Sequence, residues 1–263
     1  MKRERHLTAE GASMEKRTSL WQSILSLVAA AQGAQDAPGD SALIRTGDGA
    51  PARENGRVRV LFLGSNPALA NARRDVAPPR AEPRPTYDPL ALDEEARSID
   101  RALSASPHAS SFDFVTKWAV RCSEVQEHLL RHRPHVVHLS GHGDERAGLV
   151  LLDAGGNPKR VSGDALAGLF KVLRGNVRVV LLNACWSADQ ASAISQFVDC
   201  VIGMRQPLDD AAAIAFAAAF YGAIAFGMTV RDAFELGKLA VEFQGLPGSH
   251  VPQLFERPAG PRK

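Results

Sequence analysis

The residues best suited to covalent chemistry are one histidine and one cysteine, each just past an apolar run. Val136-Val137-His138-Leu139 gives way to Ser140-Gly141-His142-Gly143, and Val177-Arg178-Val179-Val180-Leu181-Leu182 gives way to Asn183-Ala184-Cys185. A thiol at its free pKa is only partly ionised near neutrality. An adjacent imidazole can take its proton, making a strong nucleophile, and can later return a proton to a leaving amine. Gly141 and Gly143 flank His142; without a Cβ the chain turns sharply and a carbonyl can approach closely. The N–H groups of Gly143 and Cys185 are the expected oxyanion hole, where one such donor contributes about 3 kcal/mol. The competing reading of Cys185 is an inert buried thiol, since cysteine is among the most buried residue types. Its place after the apolar run distinguishes it from Cys200, inside a strand-like run, and from Cys122, at the start of a helix. Both of those read as structural. Spacing alone fits either account of Cys185.

Other polar residues gather near these strand ends. Asp209 and Asp210 precede an alanine-rich helix, where N-capping is the plain reading and a carboxylate beside a substrate pocket the sharper one. Asp144 and Glu145 follow His142 and read as solvated loop charge or as pocket residues. Trp186, directly after the cysteine, either walls the substrate groove or packs beneath it. Asn183 completes the candidate pocket. His138, Ser140 and Gly141 are expected to support the pair from behind. His135 and His138 point to opposite faces of a strand and so do not converge on one metal ion; no metal and no cofactor are expected.

These residues require a scaffold that brings two strand ends together. Apolar runs at Val58–Leu63, Val136–Leu139, Val177–Leu182 and Asp199–Gly203 predict buried strands, with further strands at Phe112–Val120 and Gly148–Leu152. Helical spacing predicts helices over Leu92–Leu103, Ser123–His132, Asp164–Leu173, Ser187–Phe197, Asp210–Phe226 and Thr229–Phe243. Alternation of strands and helices predicts an α/β three-layer sandwich, a mostly parallel sheet with helices on both faces. In such sheets functional residues collect beyond the carboxyl ends of the strands. The stretch between His142 and Cys185 suits one hairpin and one crossover helix.

The chain has 263 residues, 45% hydrophobic and 23% charged, as globular proteins do. Lys and Arg number 31 and Asp and Glu 29, so the net charge of +2 offers no concentrated basic face for nucleic acid. Three widely spaced cysteines make no disulfide framework and fit a reducing, cytoplasmic compartment. No apolar run is long enough to predict a membrane span. The segment Leu20–Val28 has basic residues before it, as a secretory signal does, but Gln22, Ser23 and Ser26 dilute it; the spacing instead suits an amphipathic helix over Thr18–Gln32. Expected boundaries are an N-terminal helical region over 1–33, a linker over 34–56, the organised domain over 57–256 and a disordered tail over 257–263. A proline-rich loop spans 67–89.

The runs Val136–Gly143 and Val179–Ser187 together resemble a CHAT domain, a bacterial relative of caspases, metacaspases and separase. The resemblance extends from Val58 to Leu254. It includes Leu61-Phe62-Leu63-Gly64-Ser65-Asn66-Pro67, the acidic helix Leu92–Ile99, Val201-Ile202-Gly203-Met204, Asp210-Ala211-Ala212, Phe220-Tyr221 and Gly227-Met228-Thr229-Val230. It implies a caspase-like fold, His142 and Cys185 as a catalytic dyad, and endopeptidase activity on protein or peptide substrates. It also implies a bacterial effector activated by processing or by a protein partner, for which the N-terminal region is the expected recruitment element. The tetratricopeptide repeats of the family are absent. Related enzymes that cleave after basic residues carry aspartate where this chain has Asn183. The rival expectations are a non-catalytic interaction module on the same fold and a nucleotide-binding domain. The second lacks any glycine-rich phosphate motif.

Overall fold

The computed structural model describes residues 57–67, 88–146, 148–173 and 175–257. The expected N-terminal helix, the linker, nearly all of the proline-rich loop and all but the first residue of the expected tail lie outside them.

Nine strands and six α-helices are present among the described residues. The strands are β1 (Val58–Ser65), β2 (Phe112–Lys117), β3 (Val136–Gly141), β4 (Gly143–Asp144), β5 (Gly148–Leu152), β6 (Pro158–Arg160), β7 (Val179–Asn183), β8 (Cys200–Met204) and β9 (Pro252–Glu256). The helices are α1 (Leu92–Ser104), α2 (Cys122–His132), α3 (Gly163–Leu173), α4 (Ala188–Ile194), α5 (Asp210–Ala225) and α6 (Val230–Phe243). Six strands form one sheet in the order β2-β1-β3-β7-β8-β9. Its pairings are parallel except that of β8 with β9. A small antiparallel sheet, β4-β5-β6, rises between β3 and the crossover helix α3.

The central strands β3, β7 and β8 are buried along their whole length, which is why their sequences are unbroken apolar runs. Successive side chains still alternate between faces. Val136, Val179, Leu181 and Ile202 join Leu92, Ile99, Phe216, Phe220 and Phe234 on the face covered by α1, α5 and α6. Val137, Leu139, Val180 and Leu182 join Leu129, Phe170 and Ile194 on the face covered by α2, α3 and α4. The result is the expected three-layer α/β sandwich.

Helix α1 carries Asp93, Glu94 and Glu95 in its first turn, where carboxylates complement the helix dipole. Helix α5 is apolar on all sides, as a helix wedged between a sheet and α6 must be. A Cβ on Gly237 of α6 would lie 2.7 Å from Phe216 Cδ2, so the missing side chain sets how closely these helices pack.

The structure differs from the sequence reading at the edges. β2 stops at Lys117 instead of Val120, because Ala119 turns into a left-handed conformation at φ 53°. The antiparallel edge strand β9 was not expected. It starts at a proline and is half exposed, so it has no apolar run to announce it.

Candidate active site

β3 and β7 are neighbours, with Ser140 opposite Asn183 as the last register pair. Their parallel direction puts His142 and Cys185, each two residues farther on, past the same edge of the sheet. Both line one cavity of about 50 Å³, together with Leu90, Glu95, Ser140, Asn183, Asp210 and Ile214 among others. The floor of the cavity is the sheet edge, and its walls are the approach to α1 and the first turns of α5.

The two tips touch through backbone. A Cβ on Gly143 would lie 1.7 Å from Cys185 O and 2.5 Å from Cys185 N, so no other residue fits there. A Cβ on Gly141 would lie 2.7 Å from the carbonyl oxygen of Ser65 at the end of β1. The glycines around His142 therefore admit the backbone of the neighbouring strand ends.

The turn carrying Cys185 is fastened at its far side. Ser187 Oγ donates to Leu182 O at 3.0 Å and accepts from Met204 N–H at 3.0 Å, tying the ends of β7 and β8 together. Between them Trp186 sits at φ 60°, a conformation that is uncommon for a bulky side chain and costs free energy to hold. Cys185 itself is half-buried. On the other tip, Val150 N–H donates to His142 O at 2.9 Å, anchoring the histidine to β5.

His142 has its pKa lowered from the ordinary 6.5, chiefly because burial disfavours the charged ring. The main-chain carbonyl of Asp88 and the charges of Asp210 and Asp88 oppose that shift. Asp210 in turn accepts from Ala91 N–H at 2.8 Å, and Asn66 Nδ2 donates to Leu90 O at 3.2 Å, so the wall beside His142 is pinned to β1 and α5. The other two thiols are placed differently. Cys200 is buried, with its pKa pushed up to about 12 by desolvation above all; Cys122 is likewise raised, first by burial.

Of the expected pocket residues, Asn183 and Asp210 line the cavity with the histidine and cysteine. Trp186, Asp144 and Asp209 do not line it. Asp144 Oδ2 pairs with Arg160 at 2.7 Å, which holds its carboxyl below the usual carboxylate range. Asp209 occupies the N-cap position of α5 but makes no side-chain capping bond. His138 is fully buried behind the cavity, with Nδ1 3.2 Å from Tyr221 Oη and Nε2 2.9 Å from Glu95 Oε1.

Glu95 is the one polar residue lining the cavity that was not among the candidates from sequence. Its signal was faint: one carboxylate in a first turn that already holds Asp93 and Glu94, but on the side of the helix that also carries Leu92, Ala96 and Ile99.

One comparison with known proteins falls on this region. The model of the CHAT domain matches residues 84–241, which includes both strand tips. A curated protein from an unknown prokaryotic organism, a Roc-COR-CHAT protease, is 21% identical over 170 residues. That alignment covers 62% of this chain and 14% of the relative, so the chain spans a small part of that protein's length. Among solved structures, a PfkB protein from Polaromonas sp. JS666 aligns over 74% of this chain and 98% of its own at 11% identity, with a TM-score of 0.28, too low to inform fold or function. Among the described residues no helix is long and apolar enough to cross a membrane.

Proposed function

Because the chain belongs to the CHAT domain family, we propose that it is a cysteine endopeptidase acting through His142 and Cys185. The observation that supports the proposal is that both residues line one cavity, just past the ends of adjacent parallel strands. The protease name of its distant relative agrees with it.

The steps follow from the placement. His142, kept neutral by burial, takes the proton from Cys185 Sγ. The thiolate attacks the carbonyl carbon of a peptide bond, and the developing oxyanion is held by the N–H groups of Cys185 and Gly143. As the C–N bond breaks, the imidazolium gives its proton to the departing amine. Water then adds to the thioester with His142 as base, releasing the acid and restoring the thiol. Asn183 and Asp210 border the place where the substrate residue before the cleaved bond would sit. By the same reading the protein acts as a bacterial effector, switched on by a protein partner or by cleavage of its own chain.

The test is Cys185→Ala assayed on a diverse peptide library. The variant is expected to fold and to lose at least about a thousandfold in hydrolysis. Cleavage at the parental rate would leave the fold as a non-catalytic interaction module, with the hydrolysis coming from elsewhere.

A further inference from the structure

Glu95 is a carboxylate only 3% exposed, with no part in the steps above. It belongs to neither of the strands that end at His142 and Cys185, yet it binds both. Oε2 accepts from Ser140 Oγ at 2.5 Å, and Oε1 accepts from Asn183 Nδ2. Ser140 and Asn183 are the last residues paired between β3 and β7. The histidine lies two residues past the first, and the cysteine two past the second.

The alternation of the strands makes this convergence possible. Positions 136, 138 and 140 of β3 and 179, 181 and 183 of β7 share the face that α1 covers. Apolar side chains fill the early positions, with Val136, Val179 and Leu181 in that core. The late positions are polar, and all three polar side chains, His138, Ser140 and Asn183, turn to the one carboxylate. Behind it, Tyr221 closes the group through His138, its hydroxyl held neutral by complete burial and then by the charge of Glu95.

A buried carboxylate costs several kcal/mol in desolvation unless donors compensate it. Two strands already joined by a ladder do not need it to stay paired. What the ladder cannot do is fix residues past its end. Because Glu95 Oε1 accepts from Asn183 Nδ2, the carboxyl also decides which way the Asn183 amide faces. We propose that Glu95 is a positioning residue whose carboxylate ties both strand tips to α1 and so sets the gap across which His142 takes the Cys185 proton. This rests on the assignment of that pair. Proton transfer depends steeply on such gaps, where a displacement of about 1 Å can cost about a hundredfold.

The experiment reads the thiol directly and needs no substrate. Iodoacetamide modification of Cys185 is followed by mass spectrometry across pH in the full chain, in Glu95→Gln and in His142→Ala. Glutamine keeps the shape but offers an N–H₂ as readily as an oxygen, so the clamp loses its single orientation. Glu95→Gln is expected to slow modification at pH 7 about tenfold and to move the midpoint of the pH–rate profile upward, with thermal unfolding and Cys200 labelling unchanged. A Glu95→Gln rate within twofold of the parent and an unmoved profile, while His142→Ala slows modification, would overturn the positioning role and leave the dyad standing. Parental reactivity in His142→Ala would overturn the dyad and this proposal with it. If Glu95→Gln fails to fold, Ser140→Ala removes one arm of the clamp; it is expected to slow modification about threefold, and parental behaviour overturns the role.

Discussion

At the amino end of the large sheet, partly exposed charged side chains pair with one another. Asp199 meets Arg178 at 3.3 Å and Arg257 at 2.6 Å, and Arg59 meets Asp113 at 2.7 Å. The thiol there, Cys200, is sealed beneath them at the start of β8. At the carboxyl end the arrangement is inverted. The polar side chains Glu95, His138, Ser140 and Asn183 are buried, and the thiol, Cys185, reaches a cavity. The two ends do not differ in whether they carry charge or cysteine. They differ in which groups have been taken out of water, and burying polar groups is the expensive arrangement. The amino-end pairs keep at least one partner partly in water, whereas the network at the carboxyl end is buried behind the cavity that Cys185 lines.

The two thiols test the difference between the ends most directly. Cys200, with a pKa of about 12, is roughly one part in ten thousand thiolate at pH 8 and is also shielded. Alkylation of the folded protein is expected to modify Cys185 at least about a hundredfold faster than Cys200. Equal rates would erase the distinction between the ends. Next in size is Gly143→Ala. The new methyl meets backbone, which cannot move aside as a side chain can, so the strand tips must separate. We expect a loss of at least about 2 kcal/mol in unfolding free energy and of at least about a hundredfold in kcat/KM. An alanine variant of parental stability and activity would show that the tips do not touch as described.

Acidity sharpens the contrast further. Burial lowers the His142 pKa below 6.5, so the ring stays neutral, and able to accept a proton, to lower pH than a free histidine. The acid limb of kcat/KM is therefore expected below pH 6.5; a limb above it would mean that the opposing influence of Asp210 and Asp88 prevails. The smallest effect belongs to Tyr221→Phe, which removes the hydroxyl facing His138 Nδ1 but keeps the packing. About 1 kcal/mol of stability and a change in rate of no more than about threefold are expected. A loss as large as that of Glu95→Gln would place the tyrosine in the clamp itself.

Much of the fold was legible because the signals are local. Only two residues separate Leu139 from His142 and Leu182 from Cys185 in the chain, and the apolar runs before them had to be buried strands. Asn183 was visible as a candidate because it ends a strand, and Asp210 because it opens the alanine-rich helix that follows another. Trp186, Asp144 and Asp209 looked alike by that rule yet lie off the cavity, because adjacency in sequence does not say which way a turn aims its next side chain. The stretch between the two tips holds three short strands as well as α3, where one hairpin was expected. β4 and β6 are too brief to show a period.

Local pattern alone gave the order of the helices and of the apolar strands, though not β4, β6 or β9, and the two residues able to do covalent chemistry. Those follow from side-chain type and from periods of two and 3.6, which neighbours a few positions apart can impose. Only the tertiary structure decided that β3 lies beside β7, that Gly143 rests against the Cys185 backbone, and that Glu95 turns inward to Ser140 and Asn183. These contacts join residues 42 to 88 positions apart (185 minus 143, and 183 minus 95). No local pattern encodes them, because they arise only when whole layers pack and each buried donor must find an acceptor.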